Sequence, residues 1–456
     1  MGIGIELDVE NVHLRELDLS PDEIMISESQ ERMLVITSPK KFPKINQICK
    51  KFRIQCSMIG KVKKDKMMHV KKGKKTLALL PADFVARGPL IDRQKSIPKY
   101  LSNITSSPKK KIKKSPSNVL AQLLSSPNIA SKHWVFRQYD HEVGIRTVVK
   151  PGFDASVLRL DNGKFLSVKI DGNPKHCYLN PRDGAIGCFE EACRNVVCTG
   201  ATPIGMVDHL QFGNPEDPEI FWTFMESLEG LTNFAKFLKI PCVGGKVSFY
   251  NETPSGPIKP TPLIGVLGII NKTPLHPIPP KSGDYLVIVG STKNELGGSE
   301  YFEYIDDFIG GICPTVDFKS SKSNMSVVLS LIKQDLIKSV HDCAKGGTSI
   351  AVSEMSIFGG IGCNIDIGKA PSEKNLHSEQ LLFSESHSRY LLVVTKKNIK
   401  KVKQILTKKK NPFGVLGSFT GDQISIKHKS KNLVKVNVDT AQRKYFNTLK
   451  EILDNG

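Results

Sequence analysis

The sequence predicts a mixed α/β protein, α+β in its ordering, made of tandem modules of which the first is shortened at its N-terminal side. Three observations lead there. "MISESQERMLVI" at residues 25–36 returns as "LFSESHSRYLLV" at 382–393. Short β-prone runs alternate with stretches of helical apolar periodicity through most of the chain. The 456 residues, 39% of them apolar, suit two or three ordinary cores, and no apolar run approaches the roughly 18 residues of a membrane span.

The duplication sets the order of the elements. Aligned without a gap, 25–62 and 382–419 share 11 of 38 positions, among them Glu28 with Glu385, Ser29 with Ser386, Arg32 with Arg389 and Gly60 with Gly417. Apolar positions correspond too: Leu34 with Leu391, Ile36 with Val393, Ile45 with Val402, Ile48 with Ile405 and Ile59 with Leu416. Each copy reads strand, helix, strand. "MLVIT" is β-prone; Phe42, Ile45, Ile48, Cys49 and Phe52 then share a helical face; "CSMIGKV" is the second short run. The second copy lies well inside a domain that opens near "KSGDYLVIVG", whereas the first lies near the start of the sequence. The first domain is therefore expected to lack its front strands and to expose a sheet edge and an apolar face.

Residues 1–99 are thus expected to be the rear part of a domain of the second-copy type. Residues 100–131, rich in Ser, Pro and Lys, read as a linker with one helix near 117–125. Residues 132–280 form the next domain. There, "ASVLRLDNGKFLSVKI" is a hairpin about Asn162-Gly163, "GAIGCFEEACRNVVC" a helix and "TPIGMVDHLQF" a strand. Ile220, Phe221, Phe224, Met225, Leu228, Leu231 and Ala235 mark a long amphipathic helix over 219–238, and "PCVGGKVSFY" and "LIGVLGII" are further strands. Residues 281–456 begin with the strand "DYLVIVG" and the helix "NMSVVLSLIKQDLI". The loop "HDCAKGG" then opens a helix through Met355, followed by the repeat copy, two strands and a helix near 440–453.

Composition narrows the function classes. "MGIGIELDVENVH" is acidic and lacks a signal layout, so a soluble cytoplasmic protein is expected. The ten cysteines include no C-x-x-C pair, which speaks for buried, reduced thiols rather than zinc. Net charge is +20, carried by lysine runs such as "KVKKDK" at 61–66, "KKGKK" at 71–75, "KKKIKK" at 109–114 and "TKKKN" at 407–411. Aromatics do not interleave with these runs, so nucleic-acid binding is disfavoured, while an anionic small substrate fits.

Asp154, Asp171 and Asp208 flank expected strand ends, and Glu191 and Asn195 stand four apart on a helix. Asp342 precedes a Gly-Gly loop that enters a helix. Such oxygen ligands suit Mg²⁺, and such a helix start suits phosphate, although turns and caps use the same residues. No Walker-type G-x-x-x-x-G-K-[ST] is present.

The segments "YLNPRDGA", "RNVVCTGATPIGMVDHLQFGNPE", "VGGKVSFYNET", "ELGGSEY" and "LFSESHSRY" together resemble the large subunit of phosphoribosylformylglycinamidine synthase. That family lies in the aminoimidazole ribonucleotide synthase superfamily, and the resemblance runs over most of residues 5–430. It implies tandem aminoimidazole-ribonucleotide-synthase-like modules, which accounts for the repeat. It implies an ATP-dependent C–N ligase of purine synthesis that converts formylglycinamide ribonucleotide and glutamine-derived ammonia to the amidine. By the same resemblance, Glu28, Ser29, Gln30 and Ser248 would contact substrate, and Asp208 and Gly245 ATP. Asp154, Glu191, Asn195 and Asp342 would hold Mg²⁺ in a second, non-catalytic nucleotide site. Expected partners are a glutaminase subunit, a small bridging subunit and the missing N-terminal module, which would carry the catalytic histidine. Lys246 stands where the family pattern has a metal-binding Asn, and His209 and Gln211 also depart from it. A protonated lysine has no lone pair for a metal. The alternatives are a non-catalytic nucleotide-binding scaffold of the same fold, a single-module kinase-like relative and an electrostatic nucleic-acid binder.

Overall fold

The computed structural model describes residues 3–88, 91–108 and 114–454, so most of the lysine run at 109–114 lies outside the described residues. The chain divides into two compact units, Met1–Asp92 and Arg93–Gly456.

Unit 1 is a four-stranded sheet of β1 (Gly4–Asp8), β2 (Gly60–Lys63), β3 (Met67–Lys72) and β4 (Lys75–Pro81), in the order β2-β1-β3-β4. Its helices are α1 (Pro21–Ile26), α2 (Phe42–Lys51) and α3 (Ala82–Arg87). Ser20 and Glu23 cap α1 reciprocally, each side chain bonded to the other's backbone N–H. The expected helix at Phe42 forms. The expected strand "MLVIT" does not: residues 33–37 belong to no strand among the described residues, and the second run pairs only from Gly60. A β-prone pentapeptide is a strand only when neighbours accept its backbone hydrogen bonds and bury its side chains.

In unit 2, α4 (Pro116–Leu123) and α5 (His133–Phe136) precede the sheets. The stretch expected as a linker is packed here, with Val119, Leu120, Leu123 and Leu124 buried in a core. Burial of four such side chains, at about 1.5–3 kcal/mol each, is ample to fix a short helix.

A six-stranded sheet follows, made of β5 (Thr147–Val149), β6 (Ser156–Arg159), β7 (Phe165–Asp171), β8 (Thr202–Gln211), β9 (Cys242–Ser248) and, after the small hairpin β10 (Glu252–Thr253) and β11 (Gly256–Pro257), β12 (Thr261–Ile270). Its order is β5-β6-β7-β12-β8-β9, with β8 and β9 parallel and β9 at the edge. Helix α6 (Pro174–Leu179) leads into α7 (Pro181–Cys198), which packs on β7 and β12 with α8 (Pro218–Leu238) beside it. The opposite face leaves Ile170, Ile204, Val207 and Val243 exposed.

The seven-stranded sheet contains β13 (Tyr285–Val289), β14 (Ser339–Asp342), β15 (Cys363–Asp366), β16 (Tyr390–Val394), β17 (Phe413–Phe419), β18 (Gln423–His428) and β19 (Lys431–Asn437). Their order is β14-β16-β13-β17-β15-β18-β19. The helices α9 (Phe318–Lys333), α10 (Gly347–Gly359), α11 (Ser378–Phe383), α12 (Ile399–Lys408) and α13 (Val438–Asp454) complete the unit. The central strands are buried on both faces. Val287, Val289, Leu392 and Val394 enter the core shared with α7 and the six-stranded sheet, while Leu286, Ile288, Leu391 and Val393 enter a second core with α4 and α10. Near-continuous apolar strands such as "YLVIV" are the sequence signature of that double burial. The ten cysteines are free thiols, seven of them buried.

Candidate functional site

Helix α7 starts cleanly, with Pro181 in its first turn and the Asn180 side chain accepting from Asp183 N at 3.0 Å. Its helical spacing then aims Glu190, Glu191, Arg194 and Asn195 toward the end of β14. Arg194, almost fully buried, donates from Nε to Asp342 Oδ2 at 3.0 Å and pairs with Glu190 and, at 3.4 Å, with Glu191. Asn195 Nδ2 donates to the same Asp342 oxygen at 3.1 Å. Asp154 Oδ1 accepts from Asp342 N at 3.0 Å. The structure thus brings the four expected metal residues, Asp154, Glu191, Asn195 and Asp342, into one network.

Two further cations missing from the sequence reading, besides Arg194, sit among them. His341 lies between Asp154, at 3.0 Å from Nδ1, and Glu354, at 3.0 Å from Nε2. Burial disfavours its charge, but both carboxylates outweigh that and raise its pKa well above the ordinary value. An imidazole donating from both nitrogens offers a metal no lone pair. Lys345 is also held charged: burial opposes it, and Asp171 and Glu191 overcome the penalty.

The carboxylates respond differently. Burial pushes Glu191 up, and the Asp171 charge adds to it, to about 8. Burial likewise raises Asp342. Asp154 is also penalised by burial, yet the His341 charge, its hydrogen bond and the Asp342 N–H bring it down to about 2. Ligand atoms of Asp154, His341 and Asp342 lie within 4.8 Å of one another. The oxygens of Asp154, Glu191, Asn195 and Asp342 fit a hard divalent cation in kind, and His341 does not. Arg194 and Asn195 both hold Asp342 Oδ2.

A second buried cluster surrounds the repeated S-E-S element. Glu385 Oε1 accepts from Glu300 N and Gly346 N, each at 2.8 Å, and its Oε2 lies 3.5 Å from His176 Nε2. Lys175 bridges Glu300 and Glu303 at 2.7 Å each. Arg389, fully buried, donates to Ser384 O, Ser386 O, Thr292 Oγ1 and Thr348 Oγ1. His387 packs over Gly187 of α7, where an added Cβ would stand 2.6 Å from Nε2. Neither of its ring nitrogens has a hydrogen-bond partner among the described residues, and burial lowers its pKa well below the ordinary value, so the ring is neutral.

The remaining expected residues fall in two places. Asp208 and Gly245 are cross-strand neighbours on β8 and β9, and Ser248 ends β9 opposite Gln211. Gly245 is required by that approach: a Cβ there would meet Asp208 Oδ1 at 2.0 Å. Burial raises the pKa of Asp208, whose carboxylate faces Cys242 Sγ at 3.7 Å. Lys246 is exposed beside His209. Glu28, Ser29 and Gln30 belong to unit 1, where they follow α1 and are exposed. The signals for the missed residues were partly present. Arg194 is three and four residues from two glutamates, and His341 precedes Asp342. Lys175, His176 and Glu300 offered none, because their partners are distant in sequence.

Residues 152–270 match the AIR synthase related protein, N-terminal domain, and residues 1–72 and 281–429 match the AIR synthase related protein, C-terminal domain. The chain belongs to this AIR synthase related family. Its relatives are more specific still. It is 41% identical over 423 residues to phosphoribosylformylglycinamidine synthase subunit PurL of Methanobrevibacter smithii, covering 92% of this chain and 58% of that protein. It is 40% identical over 466 residues to the PurL subunit of Methanocaldococcus jannaschii, covering 99% of this chain and 62% of the relative. The chain therefore spans about three-fifths of the length of the curated relatives it matches. The fold is also that of Thermotoga maritima PurL complexed with ATP, with a TM-score of 0.60 at 21% identity over 92% of this chain and 60% of that one.

Proposed function

We propose that this chain is the nucleotide- and substrate-binding portion of a phosphoribosylformylglycinamidine synthase of purine biosynthesis. The observation that carries the reading is the 41% identity to a PurL subunit across 92% of the chain. In the proposed reaction the γ-phosphoryl group of ATP passes to the formamide oxygen of formylglycinamide ribonucleotide. Ammonia then adds to that carbon, and phosphate leaves with the oxygen to give the amidine and ADP. Glu28, Ser29, Gln30 and Ser248 are assigned to the substrate. Asp208 and the close-approach strand at Gly245 are assigned to ATP. Asp154, Glu191, Asn195 and Asp342 would hold Mg²⁺, which neutralises phosphate charge when bound. Lys345 and the N-terminus of α10 add positive potential beside them.

The catalytic histidine is assigned to the two-fifths of the relatives' length that this chain does not match. A glutaminase subunit and a small bridging subunit would deliver ammonia, and the site of action would be the cytoplasm. No helix among the described residues is long and apolar enough to cross a membrane. Calorimetric titration of the full chain with Mg-ATP tests the nucleotide part. Binding is expected, and Asp342→Asn with Glu191→Gln should weaken it at least about tenfold. A folded chain that shows no heat of binding removes the assignment. A second reading, a non-catalytic nucleotide-binding scaffold, is favoured by Lys246 and by the Arg194 and His341 contacts to the carboxylates. Amidine formation after adding the rest of a PurL relative would exclude it.

A further inference from the structure

Four of the 11 positions shared by the two repeat copies fall on one helical stripe. On α12 and the turn before it they are Lys397, Lys401, Gln404 and Lys408. On α2 and its turn they are Lys40, Lys44, Gln47 and Lys51. Steps of four, three and four residues stack each set along one side of its helix. Lys397 keeps that course, because Asn398 is right-handed helical and Ile399 N donates to Thr395 O at 3.1 Å. Both sets are exposed throughout. The rest of α12 is firmly seated: Val402 and Leu406 are 0% exposed in the core, and Ile399 and Ile405 pack against it. The stripe on α12 is therefore an outer surface of a fully packed helix, and its exposure owes nothing to the neighbours of unit 1.

The charge of each stripe is uncompensated. No acidic residue occurs between Glu31 and Asp65 or between Glu385 and Asp422. Other lysines of the surface do pair, as Lys63 with Glu6 and Lys150 with Glu142, whereas none of these six has an ion-pair partner among the described residues. Like charges four apart on a helix repel, so Lys397 with Lys401 and Lys40 with Lys44 oppose the helices that carry them. An anionic partner relieves that repulsion.

We propose that each stripe docks an acidic helical segment of a partner polypeptide. The spacing selects a helix: carboxylates at the same four-three-four steps form a matching straight row about 16 Å long, with an amide to meet the glutamine. The side-chain types disfavour nucleic acid, since the stripes hold neither arginine for bidentate phosphate contact nor an aromatic on which a base could stack. Exposed ammonium–carboxylate pairs are individually weak, so the stripes act as steering and register elements of a larger contact. This inference uses the repeat and its charge and is independent of the chemistry proposed above.

The probe is a fluorescent alanine-based helical peptide with glutamates at the lysine spacing and a glutamine at the third position. A second peptide of equal composition carries its glutamates on different faces. Fluorescence anisotropy with the full chain at low salt reads affinity and stoichiometry. Two peptides per chain are expected, with a dissociation constant below about 1 mM that rises at least about tenfold in high salt. Lys397→Glu with Lys401→Glu and Lys408→Glu, all at exposed positions, should leave one site, and adding Lys40→Glu, Lys44→Glu and Lys51→Glu should leave none. Circular dichroism confirms that both variants are folded. Absence of binding to the folded chain overturns the proposal, as do equal binding of the second peptide and a stoichiometry that the substitutions leave unchanged. Tighter binding of a short uridine oligonucleotide than of the first peptide, lost in the same variants, overturns it in favour of nucleic acid.

Discussion

Residues 21–51 and 378–408 carry helices of equal length at a constant spacing, yet the pentapeptides between those helices meet opposite fates. Tyr390–Val394 is a buried strand with a neighbour on each side, and 33–37 is exposed chain. The two are alike in apolar content and in their preceding S-E-S-x-x-R element. What differs is the surroundings: β13 and β14 stand beside one, and no equivalent strand stands beside the other among the described residues. The lesson extends to the motif itself. Glu385 is buried and accepts two backbone N–H groups, so in unit 2 it is interior scaffold. Glu28 is open to solvent.

The sharpest way to break this comparison is to truncate the paired arginines. Arg389→Met leaves two carbonyls and two hydroxyls without their buried donor and should cost about 3 kcal/mol or more. Arg32→Met removes one exposed contact to Ser27 O and should stay within about 0.5 kcal/mol. Urea midpoints followed by far-ultraviolet circular dichroism would compare them, and equal losses would erase the distinction. Next come the paired leucines. Leu391→Ala should cost about 2–4 kcal/mol through the cavity it leaves, and Leu34→Ala almost nothing. The smallest effect is a pH dependence. Burial works against the Glu385 charge, but the His176 hydrogen bond and charge, Lys175 and the Gly346 N–H together lower its pKa below 4.5. A carboxylate whose folded pKa is depressed contributes stability that is present above the unfolded value and lost as pH falls through the folded one. Glu385→Gln should therefore flatten part of the stability loss below pH 4.5 relative to the unmodified chain. Parallel acid-denaturation curves for Glu385→Gln and the unmodified chain would refute the assigned role.

Much of this was legible in order along the chain. Helix α2 follows from the spacing of Phe42, Ile45, Cys49 and Phe52, the hairpin from Asn162-Gly163, and α8 from its apolar stripe, because such patterns are local. The linker reading at 100–131 saw Ser, Pro and Lys but could not see the core that receives Leu120 and Leu123. At the candidate site, the resemblance named Asp154, Glu191, Asn195 and Asp342. It named neither the cations that hold them, Arg194 and His341, nor the neutral His387.

By itself the sequence determined the duplication, the element types wherever periodicity is local, and the family. Only the tertiary structure decided which of two matching pentapeptides is a strand and which of two matching glutamates is buried. A strand's hydrogen bonds and a side chain's burial are contributed by partners far away in the chain. A residue pattern states what a segment can do, and the neighbours that are present decide what it does.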